Sequence, residues 1–356
     1  MADITSTTQV TKPVNAIFTR RFLEKARYET NYFAGSQAAT IERHGGSATA
    51  LWRRIDNLTP TTSALSELTA DTMPTRASTQ AAVTDVTKAV AKYGDFVKIN
   101  EEVDVLNFNG TTAEIMDSLA EQAGRSLNQV QRNEMEDNAT ARLGSGVASA
   151  GAIINAIVAG DAHNVINGLS RNVARPFAAL TTGSEDTGTA PILRAYWGIT
   201  HPDVAHDLSG LTGYKSVETY AGQVDVMPGE VGFFGRGGMG VRFMSTADAS
   251  IDLGAGAAVS SSGLRSTSGN VDVYNTVIYG KNAVGSLGLG TALPTSVQAA
   301  KDSMAAIEVI SKPMGSSGVA DPLNELSTLG WKAWSAAKIL DANWIRNIRT
   351  GATSLA

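Results

Sequence analysis

Residues 111–137 constrain the fold more than any other stretch. Thr111-x-x-Glu114 is a capping box placed just after the Asn109-Gly110 turn. Ile115, Leu119, Ala123, Leu127 and Val130 then recur as one apolar stripe at helical spacing, with polar residues filling the other faces. The helix this predicts runs to about Asp137, and Gly124 is its weak point. About 27 residues make a rod of roughly 40 Å. That is long for a globular domain and implies a structural spine.

The segments before the rod read as attachments to it. Residues 1–12 read as a flexible arm, and Pro13 to about Phe33 as an amphipathic helix lying on a partner surface, with Val14, Ile17, Phe18, Phe22 and Leu23 on one side. Ala48 to Asp56 (ATALWRRID) predicts a strand in which Ala50, Trp52 and Arg54 share one face and Leu51, Arg53 and Ile55 the other. A second extended run covers Gln80 to Asn100, broken at Tyr93-Gly94, and about twenty polar residues join the two. A loop that long in a compact domain calls for a function, and the pattern predicts a projecting hairpin.

Beyond the rod, glycines 144, 146 and 151 mark a hinge, and Asp161 to Leu180 reads as helix interrupted at Arg175-Pro176. Residues 191–200 predict a strand, and His201-Pro202-Asp203 opens a short helix. Residues 222–300 alternate short apolar runs with Gly/Ser loops, as β structure does. Ala305 to Ile310 and Thr328 to Ile339 predict strands, and Leu340 to Ile348 a short terminal helix. Helices and strands interleave without a βαβ repeat, so the fold class is α+β.

Chemistry is sparse. With no cysteine, disulfides, Cys-zinc sites and thiol catalysis are excluded. Gly235-x-Gly237-x-x-Gly240 fits a dinucleotide fingerprint in spacing, but Val241 to Met244 behind it read as a strand where a helix is needed, so a β-turn or loop is expected. His201 and His206 are five apart, which is not the spacing of a helical zinc pair, and a helix cap is the better reading. No nucleophile elbow, P-loop lysine or calcium loop occurs. No catalytic residue, cofactor or metal ligand is assigned, and no enzyme activity is expected. The start has no signal-peptide pattern and the longest apolar stretch, Val147 to Ala159, is too short for a bilayer, so a cytoplasmic protein without membrane contact is expected.

The net charge of −5 carries no general nucleic-acid signature. It is unevenly spread. Residues 1–60 hold eight bases against five acids, or +3, while residues 61–137 hold six bases against thirteen acids, or −7. Such asymmetry fits either complementary contacts between copies or scattered surface charge.

Five segments, in order, resemble the major capsid proteins of tailed phages, in particular the group typified by the podovirus N-four. They are FTRRFLEKARYETNYFA (Phe18 to Ala34), ALWRRIDNLTPTTSALSEL (Ala50 to Leu68), AVAKYGDFVKINEEVD (Ala89 to Asp104), ILRAYWGITHPDVAHDL (Ile192 to Leu208) and DPLNELSTLGWKAWSAAKILDANWIRNI (Asp321 to Ile348). Leu68 stands where the family has glycine, and residues 245–300 match least, as a variable surface portion. The resemblance implies the Hong-Kong-97-type capsid fold: an N-terminal arm at 1–45, an extended loop at 46–100, and a peripheral domain at 101–150 with the spine helix 111–137. An axial domain at 151–300 follows, and C-terminal strands at 301–356 complete the peripheral domain.

The function implied is a self-assembling icosahedral shell around the double-stranded DNA of a tailed phage. A cellular encapsulin-like nanocompartment shell is the alternative. Copies would form pentamers and hexamers, with the loop and arm, through Arg20, Arg21, Trp52, Arg53 and Arg54, touching neighbours. The implied partners are a separate scaffolding protein and a portal protein, with decoration proteins left open, and the DNA is enclosed without sequence-specific binding. Assembly would take place in the host bacterial cytoplasm and end in the virion capsid. No lysine lies between Ala48 and Thr87, so the isopeptide crosslink that some relatives form from the extended loop is not expected.

Overall fold

The computed structural model describes residues 22, 31–39, 49–56, 58, 60–62, 81–102, 111–177, 193–219, 229–236, 238–259, 263–287, 307–313, 323 and 325–355. Arg20, Arg21, most of the segment from Pro13 to Phe33 and the side chain of Thr111 lie outside them.

Helix α1 spans Thr111–Asn138, as the sequence predicts within one residue. Its 28 residues make a rod of about 42 Å. Leu119, Ala123 and Leu127 are buried, but the buried face is wider than the predicted stripe. Met116 and Ala120 join it in the first half. Asn128, Gln131, Glu134, Met135 and Glu136 are buried in the second. The polar residues there go inward because the rod serves two cores in succession.

The first core lies between α1 and a three-stranded antiparallel sheet. Its strands are β4 (Ala91–Asn100), β15 (Ile307–Lys312) and β16 (Leu326–Ser335), in the order β15-β16-β4. Ile99, Ile307, Leu329, Trp331 and Ala333 pack on the helix residues, and Phe22 reaches the same cluster. Inward residues alternate along each strand, as a sheet with one covered face requires.

The second core is built on an eight-stranded sheet. Its path is β5 (Thr140–Leu143), β18 (Ile345–Thr350), β13 (Val273–Tyr279), β6 (Arg194–Thr200), β9 (Met239–Ser245), β8 (Glu230–Arg236) and β7 (Tyr214–Ser216), with β10 (Ile251–Asp252) paired to β13. Helix α2 (Ala159–Arg171) adds Ala162, Val165, Ile166 and Leu169 to this core, and α3 (Pro202–Ser209) adds Val204 and Leu208. His201 caps α3 by accepting from the Asp203 N–H at 3.2 Å. Burial and the Arg265 charge hold its imidazole below the usual range despite Asp203, in keeping with that acceptor role. Small ladders finish the chain: β1 (Gln37–Ala38), β14 (Val284–Ser286) and β17 (Ala337–Ile339) in the order β1-β14-β17, and β11 (Ser266–Thr267) with β12 (Asn270–Val271).

Several expectations are corrected. Leu340 to Ile348 is no helix: Asp341 caps a 3-10 turn over Ala342–Trp344, and the chain then enters β18, where pairing with β13 overrides helix propensity. Within this stretch β18 joins the eight-stranded sheet, while β15 and β16 before it lie on α1. The helix predicted over Asp161 to Leu180 ends at Arg171, and Val173 turns at φ 54° before Pro176. The supposed variable surface at 245–300 contains β13, whose seven residues are all buried at the sheet's centre. At the expected hinge, Gly144 is buried, and a Cβ there would stand 2.9 Å from Thr350 Cγ2. That glycine permits close packing instead of motion.

Candidate assembly surfaces

The projecting element is a seven-pair hairpin of β2 (Thr49–Ile55) and β3 (Val83–Ala89), with Thr49 opposite Ala89 and Ile55 opposite Val83. Its sequence alternates, so its two faces differ in character. Ala50 and Trp52 turn inward against Ala336 and Leu340. The Trp52 indole N–H donates to the Gln37 carbonyl at 3.0 Å, and its ring lies against Gly285, where a Cβ would be 2.5 Å from Nε1. At 2% exposure Trp52 belongs to the chain's own core.

Polar side chains clamp the hairpin base. Arg54 pairs with Asp56 at 2.8 Å and Asp341 at 3.1 Å, and donates to the Leu340 carbonyl at 2.8 Å. Across the ribbon, Lys88 stands 3.5 Å from Glu134 of α1, and Lys338 of β17 stands 3.4 Å from the same carboxylate. Arg54 is thus an intramolecular clamp in this chain. A shallow cleft of about 160 Å³ beside it, reached by Asn172 and Trp344, is too small for a nucleotide.

The other face is open. Leu51, Arg53 and Ile55 of β2 look outward with Thr87, Asp85 and Val83 of β3 opposite them. Ile55 is 65% exposed and Val83 53%. Arg53 donates to Asp85 at 2.9 and 3.2 Å, and that bond holds the Asp85 carboxyl below its ordinary range. Of the five residues expected at neighbour contacts, only Arg53 is therefore both described and outward.

A second open face was missed by the sequence reading. It is the side of the β15-β16-β4 sheet turned away from α1. Phe96 of β4, 60% exposed, lies opposite Gly330 of β16, which in turn lies opposite Ile310 of β15. Lys92, Lys98, Lys312 and Lys332 share that side with Glu308, which pairs with Lys332 at 2.8 Å. The alternation of AKYGDFVKIN (Ala91 to Asn100) would have placed Phe96 opposite Ile99 had the strand's partner helix been known.

A strap joins the cores. Tyr32 is fully buried; its N–H donates to Asn128 Oδ1 at 2.9 Å and its hydroxyl to Glu136 Oε1 at 2.7 Å. The Ser250 hydroxyl donates to the other Glu136 oxygen, and Asn347 donates to the Glu136 carbonyl at 3.0 Å. Burial pushes the Glu136 carboxyl up, against Ser250, Tyr32 and Arg132, which lower it. One residue, through its carboxylate and its backbone carbonyl, so ties arm segment, spine and sheet together.

The motifs with enzymatic spacing resolve as structure. The glycine run is the β8–β9 hairpin, with Gly235 opposite Gly240, and a Cβ at Gly235 would be 2.6 Å from the Phe233 ring. His206 is exposed on α3, and among the described residues no three metal-ligating side chains converge. No helix among them is long and apolar enough to cross a membrane.

The sequence matches no protein-family profile, and no curated protein is significantly similar to it. Solved structures are similar in fold. The capsid of Ralstonia phage GP4 aligns with a TM-score of 0.58 at 9% identity, over 92% of this chain and 90% of that one. The acid-stable capsid of Helicobacter pylori bacteriophage KHP30 aligns at 0.56 and 10% identity, covering 89% and 88%. The head of Helicobacter pylori bacteriophage KHP40 aligns at 0.55 and 10% identity, covering 91% of each. The chain has the fold of these capsid subunits, the α+β Hong-Kong-97 type.

Proposed function

We propose that this chain is the major shell subunit of a tailed-phage head, assembling through pentamers and hexamers around double-stranded DNA. The observation that carries the reading is the open outer face of the β2–β3 hairpin, with Leu51, Ile55 and Val83 held out to solvent by a base clamped at Arg54 and Lys88. A monomer gains nothing from such a face, whereas a shell subunit covers it in every copy. End-to-end likeness to phage capsid subunits supports the same conclusion.

In this reading the hairpin is the extended loop, α1 the spine of the peripheral domain, and the eight-stranded sheet the axial domain. We end the loop at Val90 in this reading, and the pairing of β4 with β16 in the sheet on α1 supports that choice. The podovirus N-four type, a separate scaffolding protein, a portal, and a place in the virion after assembly in a bacterial cytoplasm belong to the same proposal. The chain's net charge of −5 suits a wall that must not trap a polyanion. Sedimentation and negative-stain microscopy of the purified full chain test it. Rings of five and six copies or closed shells are expected; a monomer at every concentration would contradict it.

A further inference from the structure

Strand direction sorts the charges of the eight-stranded sheet to its two ends. β18 and β6 both run antiparallel to β13, and β9 runs parallel to β6. The starts of β18, β6 and β9 and the close of β13 therefore share one end. The far end carries Asp203, Glu230, Asp248 and Asp252, and each is matched within the chain. Their partners are Arg265 at 3.3 Å, Arg242 at 2.6 Å, Arg125 at 3.1 Å and Arg349 at 3.6 Å. The near end is not balanced in this way.

Three loops meet there. Val173, at φ 54°, lets the Ala174 N–H reach back to the Leu169 carbonyl at 3.0 Å, which closes α2 and leads the chain to Arg175. The turn after β13 sits against this segment: the Lys281 N–H donates to the Arg175 carbonyl at 2.8 Å, and the Gly280 N–H to the Trp344 carbonyl at 2.9 Å. Gly280 permits the approach, since a Cβ there would stand 2.9 Å from the Arg175 carbonyl oxygen. The Arg175 guanidinium lies 5.9 Å from the centre of the Trp344 ring. The Phe177 N–H donates to the Ala195 carbonyl at 2.9 Å, which brings the same segment beside the start of β6.

This packing gathers Arg171, Arg175, Arg194, Lys281 and Arg346. The first four are exposed and Arg346 is half-buried. Among the described residues none of the five is ion-paired. Arg346 uses only Nη1, on the Ala342 and Ile345 carbonyls at 2.7 and 2.8 Å, which leaves the rest of its fork open. The nearby carboxylates of Asp56 and Asp341 are both matched to Arg54. Neighbouring strands lie about 4.8 Å apart, so the run from β18 through β13 to β6 is about 10 Å wide.

Five cations on one edge, with no acid of the same chain to answer them, form a surface for a polyanion. In the shell reading every copy encloses duplex DNA, which carries one charge per about 1.7 Å of axis, so several phosphates fit across that width. We infer that this end of the sheet, centred on Arg175, Arg194 and Lys281, is a contact for the phosphate backbone of double-stranded DNA. The inference rests on the shell reading and adds to it the surface that meets the genome. Contacts to phosphate carry no sequence information, and the net charge of −5 over the whole chain keeps the rest of the wall repulsive.

Fluorescence anisotropy of a labelled random-sequence duplex tests this, titrated with the purified full chain before assembly at several salt concentrations. The unsubstituted chain should bind, with an affinity that falls as salt rises. Arg194→Glu with Lys281→Glu should weaken binding and lower the slope of log affinity against log salt by about two. Arg194→Gln with Lys281→Gln should lower the slope likewise, and serves where charge reversal prevents folding. Lys92→Glu with Lys312→Glu makes the same change in net charge on the sheet over α1 and should leave duplex binding in place. No binding by the unsubstituted chain, an unchanged slope in the Arg194 and Lys281 variants, or an equal loss from the Lys92 and Lys312 control overturns the DNA contact and leaves the shell reading intact. Normal duplex binding with lost assembly in the Arg194 and Lys281 variants overturns it as well, by assigning these bases to an acidic surface of a neighbouring copy. Failure of the unsubstituted chain to form rings or shells overturns the shell reading itself.

Discussion

Adjacent residues on β2 have opposite fates, and their substitution energies should differ accordingly. Trp52→Ala removes a buried indole packed against Gly285 and should destabilise the subunit by about 3–5 kcal/mol in denaturant unfolding. Arg53→Ala breaks a solvent-exposed pair with Asp85 and should leave the unfolding transition almost where it was. Equal losses would contradict the assignment of the two faces. Glu136 gives a pH signature. Its folded carboxyl holds a proton at pH values where the unfolded chain has released it, chiefly because it is buried. Stability should be fullest below the ordinary carboxylate range and fall as pH rises from there to the raised value. Glu136→Gln keeps an acceptor for Tyr32 and removes the titration, so its stability curve should lack that fall; an unchanged curve would show that the carboxyl titrates normally. The alternation of ATALWRRID gave the two faces from sequence, but not which one the chain itself would cover. That depended on Ala336, Leu340 and Gly285, more than 200 positions away.

At the scale of elements, the long helix and the hairpin were readable because their signals are local: a cap, a stripe, an alternation. The end of the chain was not. Leu340 to Ile348 has helical spacing of apolar residues, yet β18 forms there because β13 offers a full ladder of hydrogen-bond partners from Tyr274 to Tyr279. The second half of α1 misled for a similar reason, since its buried Asn128 and Glu136 find partners on Tyr32, Asp248 and Ser250, all distant in sequence. The hairpin's stance is likewise a long-range property. A double-mutant cycle on Arg54 and Asp341 should give a coupling of about 0.5–3 kcal/mol, because their 3.1 Å contact is sheltered at the hairpin base. A coupling near zero would mean that the clamp does not hold the hairpin.

For the whole molecule, the two cores share one rod, its first half in one and its end in the other. Lys88, the first lysine after the long loop, is committed to Glu134 at 3.5 Å within the chain. With no lysine at all between Ala48 and Thr87, mature particles should run as single subunits on denaturing gels; a covalent ladder in the unmodified protein would contradict this. The central claim is tested most directly by cryo-electron microscopy of particles sedimented from the native source, with their ultraviolet absorbance ratio recorded. Icosahedral shells tiled by this chain and filled with DNA are the predicted result. Shells filled with protein in place of DNA would point to a nanocompartment, and the absence of any shell built from this chain would contradict the account.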